Sequence, residues 1–237
     1  MMKGTGTRGL ATGAATILLA GGVLAGSGTT TDIEAARAPV YCKGRVATIV
    51  GTLGDDHLEG TSGRDVIHGR GGNDSIFGHG GNDLICGGPG WDRIAAGGGH
   101  DVVYAGMGRD VVYGDDGNDV LRGQRGTDEI YGDNGNDVIH GGRGGKYTGH
   151  YPLPQGREVL NGGDGHDTVR GGRGDDLVTG GRGDDTLFGG PGTDSIWGDP
   201  GADSLTGGAG YDLCRGGPGN DTVEHCETRR IDPLPTD

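Results

Sequence analysis

The sequence predicts an all-β fold: a right-handed parallel β-roll or β-helix solenoid of about 18 nonapeptide units, two to each coil. Three registers locked to one nine-residue period carry this. An acid recurs at Asp56, Asp65, Asp74, Asp83, Asp92, Asp101, Asp110, Asp119, Asp128 and Asp137. After a gap it resumes at Glu158, Asp167, Asp176, Asp185, Asp194, Asp203, Asp212 and Asp221. Glycine stands two positions before every acid, from Gly54 to Gly219, and an apolar residue two positions after it, from Leu58 to Val223. A period of this kind makes a solenoid, in which each unit buries its apolar residue only against its neighbours.

Composition narrows the alternatives. The chain has 237 residues, of which 59 are glycine, with 31% hydrophobic and 5% aromatic. That is too little apolar mass for a conventional globular core. Collagen is excluded because glycine does not fall at every third position. Plain disorder is disfavoured because a solvated linker needs no aliphatic at one fixed slot. A net charge of −14 weighs against nucleic-acid binding and favours a cationic partner.

Residues 1–38 read as a secretory signal peptide and polar spacer. Lys3 and Arg8 precede a short apolar stretch from Ala14 to Ala25, with cleavage expected between 25 and 38. The stretch is too short and too glycine-broken to span about 30 Å of hydrocarbon. Residues 39–50 form an N-terminal cap, and 51–140 carry the first block of repeats.

A representative unit is 69–77, Gly-Arg-Gly-Gly-Asn-Asp-Ser-Ile-Phe. Its first six residues have turn composition and tolerate positive φ. Its last three make a very short strand whose middle side chain faces away from its neighbours. Two such units close one 18-residue revolution, and like strands stack in parallel about 4.8 Å apart. Residues 141–152 are an insertion loop holding Lys146, Tyr147, His150 and Tyr151, followed by repeats over 153–224 and a C-terminal cap and tail over 225–237. Unit 153–161 lacks its first two glycines and carries Glu158, so a metal beside it is doubtful.

One aliphatic per nine residues buries little surface against the entropy of ordering a glycine-rich chain, and stacking places like charges side by side. A cation must supply the missing stabilisation. The acid slot holds aspartate 17 times and glutamate once, although asparagine or serine would serve a turn equally well. Carboxylates and turn carbonyls without His or Cys are a hard-oxygen set that suits several Ca²⁺ ions. The metal ligands expected are Asp56, Asp65, Asp74, Asp83, Asp92, Asp101, Asp110, Asp119, Asp128, Asp137, Asp167, Asp176, Asp185, Asp194, Asp203, Asp212 and Asp221, in two edge rows.

The pattern resembles the repeats-in-toxin (RTX) nonapeptide GGxGxDxUx over residues 51–224, best in 162–170, 171–179, 180–188 and 216–224. The resemblance implies a parallel β-roll with Ca²⁺ between turns, folding when calcium is met outside the cell. Many members carry a separate catalytic or pore-forming domain and leave with a C-terminal signal. Here about a dozen residues follow the last repeat and the export signal is N-terminal, so no lytic or hydrolytic activity carries over.

Four cysteines fit an exported, oxidised protein. Cys42–Cys86 and Cys214–Cys226 would staple the two ends, although three connectivities are open. The Gly4–Gly9 match to GxGxxG precedes any strand and is set aside. Phe77, Tyr113 and Tyr131 fall at the outward ninth slot and make at most a weak aromatic stripe. The reading is a secreted, monomeric, non-enzymatic calcium-binding module without catalytic residues or other cofactors. An extracellular adhesion or matrix module with a cell-surface or glycan partner is its alternative.

Overall fold

The structure, a computed structural model, describes residues 39–144 and 157–230. Residues 1–38, where a signal segment is expected, most of the expected insertion loop and the tail beyond 230 lie outside the described residues. The described residues form two ten-stranded parallel sheets and one two-stranded hairpin. The chain alternates between the sheets, so each strand pairs with the strand one coil away. The first sheet runs from Ile49–Val50 to Thr222–Glu224 and the second from His57–Glu59 to Thr228–Arg230. Ten strands at the usual spacing make a stack about 43 Å long. No helix among the described residues is long and apolar enough to cross a membrane.

Register follows the nine-residue frame. Ile67 pairs with Ile85 and Ile85 with Val103 in the first sheet, while Ile76 pairs with Ile94 in the second, each a step of 18. The inward slots from Ile67 to Cys214 are completely buried and meet in one continuous core between the sheets. Flanking strand residues are only half-buried, as in Ser75–Phe77, because period-two alternation turns them outward.

Close stacking explains the glycine two places before most of the acids, Gly54 and Gly63 at the start of the stack excepted. Gly72 and Gly219 have φ of +110° and +157°, which L side chains rarely adopt. A Cβ on Gly90 would also strike the carbonyl oxygen of Gly72 in the coil below.

Pairing continues past residue 140. Gly142 and Arg143 lie opposite Gln124 and Arg125 on one side and Gly172 and Arg173 on the other. The register then jumps by 30, with Val138 opposite Thr168 and Glu129 opposite Val159, so twelve extra residues cost no rung.

The ends depart from the repeat. Tyr41–Cys42 and Arg45–Val46 form an antiparallel hairpin around Lys43 and Gly44, both at positive φ (47° and 83°), as a type I′ loop requires. The hairpin packs Cys42 against Leu84 and Cys86, and a Cys42–Cys86 disulfide joins it to the first sheet with Cα atoms 5.7 Å apart. At the far end Cys214, in an inward slot, is bonded to Cys226 at a Cα separation of 5.9 Å. Strands Ile49–Val50 and Thr228–Arg230 add one rung at each end beyond the acid ladder.

Candidate metal centre

Each acid sits where turn becomes strand, with its carboxylate folded under the turn. From Asp74 to Asp212 every ladder acid is no more than 2% exposed, Asp65 is 7% exposed, and Asp56 and Asp221 are half-buried. One oxygen of each ladder aspartate is accounted for. Asp74 Oδ1 accepts the backbone N–H of Asp56 at 2.9 Å, Asp92 Oδ1 that of Asp74 at 2.9 Å, and Asp101 Oδ1 that of Asp83 at 2.7 Å. The chain of bonds crosses the insertion, where the Asp137 N–H reaches Asp167 Oδ1 at 2.7 Å. Two carboxylate ladders thus run along opposite edges of the coil.

The other oxygen is not accounted for. Fifteen aspartate Oδ2 atoms, from Asp74 to Asp221, are buried without a hydrogen-bond partner. Leaving so many buried acceptors unpaired is costly, and each calls for a donor or a cation. Thirteen of them lie over the first glycine of their own unit; for Asp101 and Asp110 that place is taken by Ala96 and Ala105. A Cβ built on Gly114 would come within 2.7 Å of Asp119 Oδ2 and 2.6 Å of the Gly132 carbonyl oxygen one coil on. The missing Cβ therefore leaves a small cradle edged by a free carboxylate oxygen and a backbone carbonyl. Among the described residues no three His, Cys, Asp or Glu side chains converge, so backbone carbonyls must complete any metal shell. Oxygen donors from carboxylate and carbonyl fit Ca²⁺ better than any softer ion.

Burial shapes the electrostatics. Desolvation raises Asp110 to about 8, and Asp119, Asp128, Asp137, Asp185 and Asp194 to about 7, with acids of adjoining coils adding to several. Asp83, Asp92, Asp167 and Asp203 rise to about 6 for the same first reason. Without a counter-cation the coil favours neutral acids.

A family model for the RTX calcium-binding nonapeptide repeat, which spans four copies at a time, matches residues 50–85, 87–121, 113–145, 155–187 and 188–223. These matches cover well over half of the chain. The chain belongs to the RTX calcium-binding repeat family. No individual curated protein matches it.

Within this RTX coil the acids are not equivalent. Asp56 Oδ2 accepts the Thr52 N–H at 2.6 Å and the Thr52 hydroxyl at 3.1 Å. Asp65 Oδ2 is held likewise by Thr61, at 2.7 and 2.9 Å. These threonines stand where half of the units have a second glycine, and through them the first two acids are satisfied from within the chain. At the other end Glu227 Oε2 accepts the Asp212 N–H at 2.5 Å and closes the ladder off the nine-residue frame.

Glu158 is the weak point. Both of its oxygens are buried and accept no hydrogen bond, and burial together with the neighbouring Asp176 pushes its carboxyl strongly up. Its turn is not glycine-poor, however. Gly141 lies beneath it, where a built Cβ would meet Glu158 Cγ at 3.2 Å, so 141–144 supply the glycines that 153–154 lack.

A second ladder escaped the sequence reading. The residue before each acid often accepts a backbone N–H from the next coil: Asn82 from His100, His100 Nδ1 from Asn118, and Asn118 from Asn136, at 2.9–3.0 Å. The signal was present as recurrent Asn, Asp and His at that slot. The outward aromatics are less continuous than expected: Tyr113 and Tyr131 stack at 5.2 Å, but Ala95 separates them from Phe77.

Proposed function

We propose that this chain is a secreted, non-enzymatic RTX module whose β-roll folds on binding several Ca²⁺ ions. The observation that carries this is the set of fifteen buried Oδ2 atoms, twelve of them beside a turn carbonyl and above a glycine. The ligands assigned are the ladder aspartates from Asp74 to Asp221 with carbonyls of the glycine turns. Asp56 and Asp65 are given a structural role because their threonines already satisfy them, and Glu158 is left out. Two disulfides favour an oxidising, extracellular setting. The register supports drawing the inserted segment at 145–156, inside a unit that begins at Gly141.

Bound Ca²⁺ would neutralise stacked carboxylates and offset the entropy of ordering the turns. The protein's own share is to aim Oδ2 with the Oδ1 bond and to clear space with glycine. The test is a calcium titration of the protein from EGTA, followed by circular dichroism and calorimetry. β-Structure should form in step with binding in the about 10⁻⁴–10⁻³ M range of extracellular modules. Asp119→Asn should move the midpoint upward by about tenfold, one ligand interaction of ~1.4 kcal/mol, while Asp65→Asn leaves it in place. A full β-roll in EGTA that calcium does not alter would refute the reading.

A further inference from the structure

The outer face of the first sheet carries a feature that calcium binding does not use. On adjacent strands Val120–Gly126, Val138–Gly144 and Thr168–Arg173, the register sets Arg122 opposite His140 and His140 opposite Arg170. Three residues further along the same strands, Arg125 is opposite Arg143 and Arg143 opposite Arg173. Like charges on neighbouring rungs are destabilising. Their concentration is notable in a chain of net charge −14.

The arginines of the first column are held in place. Arg122 lies 5.1 Å from the ring centre of Tyr104 on the preceding rung, and Arg170 lies 4.7 Å from that of Phe188 on the following one. Lys43 of the N-terminal hairpin covers Tyr104 at 4.2 Å and bounds the face at that end. Among the described residues neither Arg122 nor Arg170 is paired with a carboxylate, whereas Arg109 is bound to Glu129 at 2.6 Å and Arg182 to Asp164 at 3.6 Å. His140 between them is held below its usual pKa by partial burial and then by the two guanidiniums, which makes it a neutral hydrogen-bonding group at pH 7. Val102, Val120 and Val138, half-buried, form an apolar strip beside the column.

We propose that this face, centred on Arg122, His140 and Arg170, docks a linear acidic polysaccharide along the rod. Strand spacing puts the two arginines about 9.6 Å apart, a span close to an extended disaccharide, so successive uronate carboxylates can meet successive guanidiniums. The valine strip accepts the apolar edge of the sugar rings. Arg125 and Arg173, both exposed, add charge where the strands run into the turns. The turns leaving the second sheet carry Asp115, Asp116, Asp133 and Asp164 instead. A polyanion is therefore drawn to one side only, and the densely charged phosphates of nucleic acid are disfavoured by the rest of the rod.

The test uses the full calcium-loaded chain and a hyaluronan oligosaccharide, with a neutral dextran oligosaccharide and single-stranded DNA of similar length alongside. Binding is read by calorimetry at several salt concentrations, and circular dichroism of the same samples reports whether the calcium-dependent fold is intact. Hyaluronan should bind, weaken as salt rises, and lose roughly a hundredfold in affinity in the Arg122→Gln/Arg170→Gln double variant, two charge-assisted contacts. Arg93→Gln, which removes the guanidinium stacked on Tyr113 of the opposite sheet at 5.1 Å, should leave affinity unchanged. The proposal is overturned if the folded wild type ignores hyaluronan, if DNA binds more tightly, or if the folded double variant binds as the wild type does. Failure of the calcium-induced fold itself would show up separately in the dichroism.

Discussion

At the scale of the residue, each ladder aspartate from Asp74 to Asp221 divides its carboxylate between two tasks. Oδ1 ties a coil to the next through a backbone N–H, and Oδ2 is left for a cation or a proton. The two compete, which sets a pH dependence. Folded-state values of about 6 to 8 lie above the ordinary 3.8 because burial disfavours the charged form. Below about pH 4 the acids are protonated whether the chain is folded or not, and burial then costs the metal-free coil nothing of this kind. As pH rises through the folded values, that advantage is lost, because ionisation favours the unfolded chain. In EGTA, lowering the pH from 8 to 4 should therefore increase β-structure by circular dichroism. With calcium the order reverses, and affinity should fall between pH 8 and 6 as protons occupy the same oxygens. Calorimetry in buffers of different ionisation enthalpy should then register proton release on calcium binding; its absence at pH 7 would contradict the burial argument.

At the scale of the element, the nine-residue period made the strands, their inward residues and their registers readable. The slots from Leu58 to Val223 needed only period-two alternation within three residues, and the step of 18 followed from two units per coil. What the period could not show lies where a contact is not periodic. Thr52 and Thr61 break the glycine pattern, and their hydroxyls reach the acids four residues on. Glu227 stands 15 residues after Asp212 and closes the ladder only because Cys214–Cys226 folds the chain back. An insertion inside a turn leaves the same spacing as one between turns, so the period alone does not choose between 141–152 and 145–156 for the inserted segment. Cysteine positions alone left three pairings open; stacking geometry makes the two terminal bridges. Chain-entropy arguments assign about 4 kcal/mol to the Cys42–Cys86 loop and about 3 kcal/mol to the shorter Cys214–Cys226 loop. Cys42→Ser/Cys86→Ser should thus cost more in a calcium-loaded denaturant titration than Cys214→Ser/Cys226→Ser. Hydrogen exchange should place the new fraying in the hairpin and first rungs, not mid-rod.

At the scale of the whole molecule, a solenoid is nearly one-dimensional, so each coil feels only its neighbours and cooperativity depends on an unbroken ladder. One edge row runs without interruption from Asp65 to Asp221, bridging the insertion through Asp137 and Asp167. The other is broken at Glu158, whose longer side chain leaves both oxygens unbonded although Gly141 is in place beneath it. The mid-rod is therefore where calcium coupling between the two halves is weakest. Glu158→Asp removes one methylene and lets the carboxylate take the geometry of its neighbours, Oδ1 toward the Asp128 N–H and Oδ2 over Gly141. The variant should bind one more calcium ion and fold with a steeper calcium dependence, its two halves melting together when followed by hydrogen exchange. If stoichiometry and steepness are unchanged, the inserted segment, and not the extra methylene, uncouples the row.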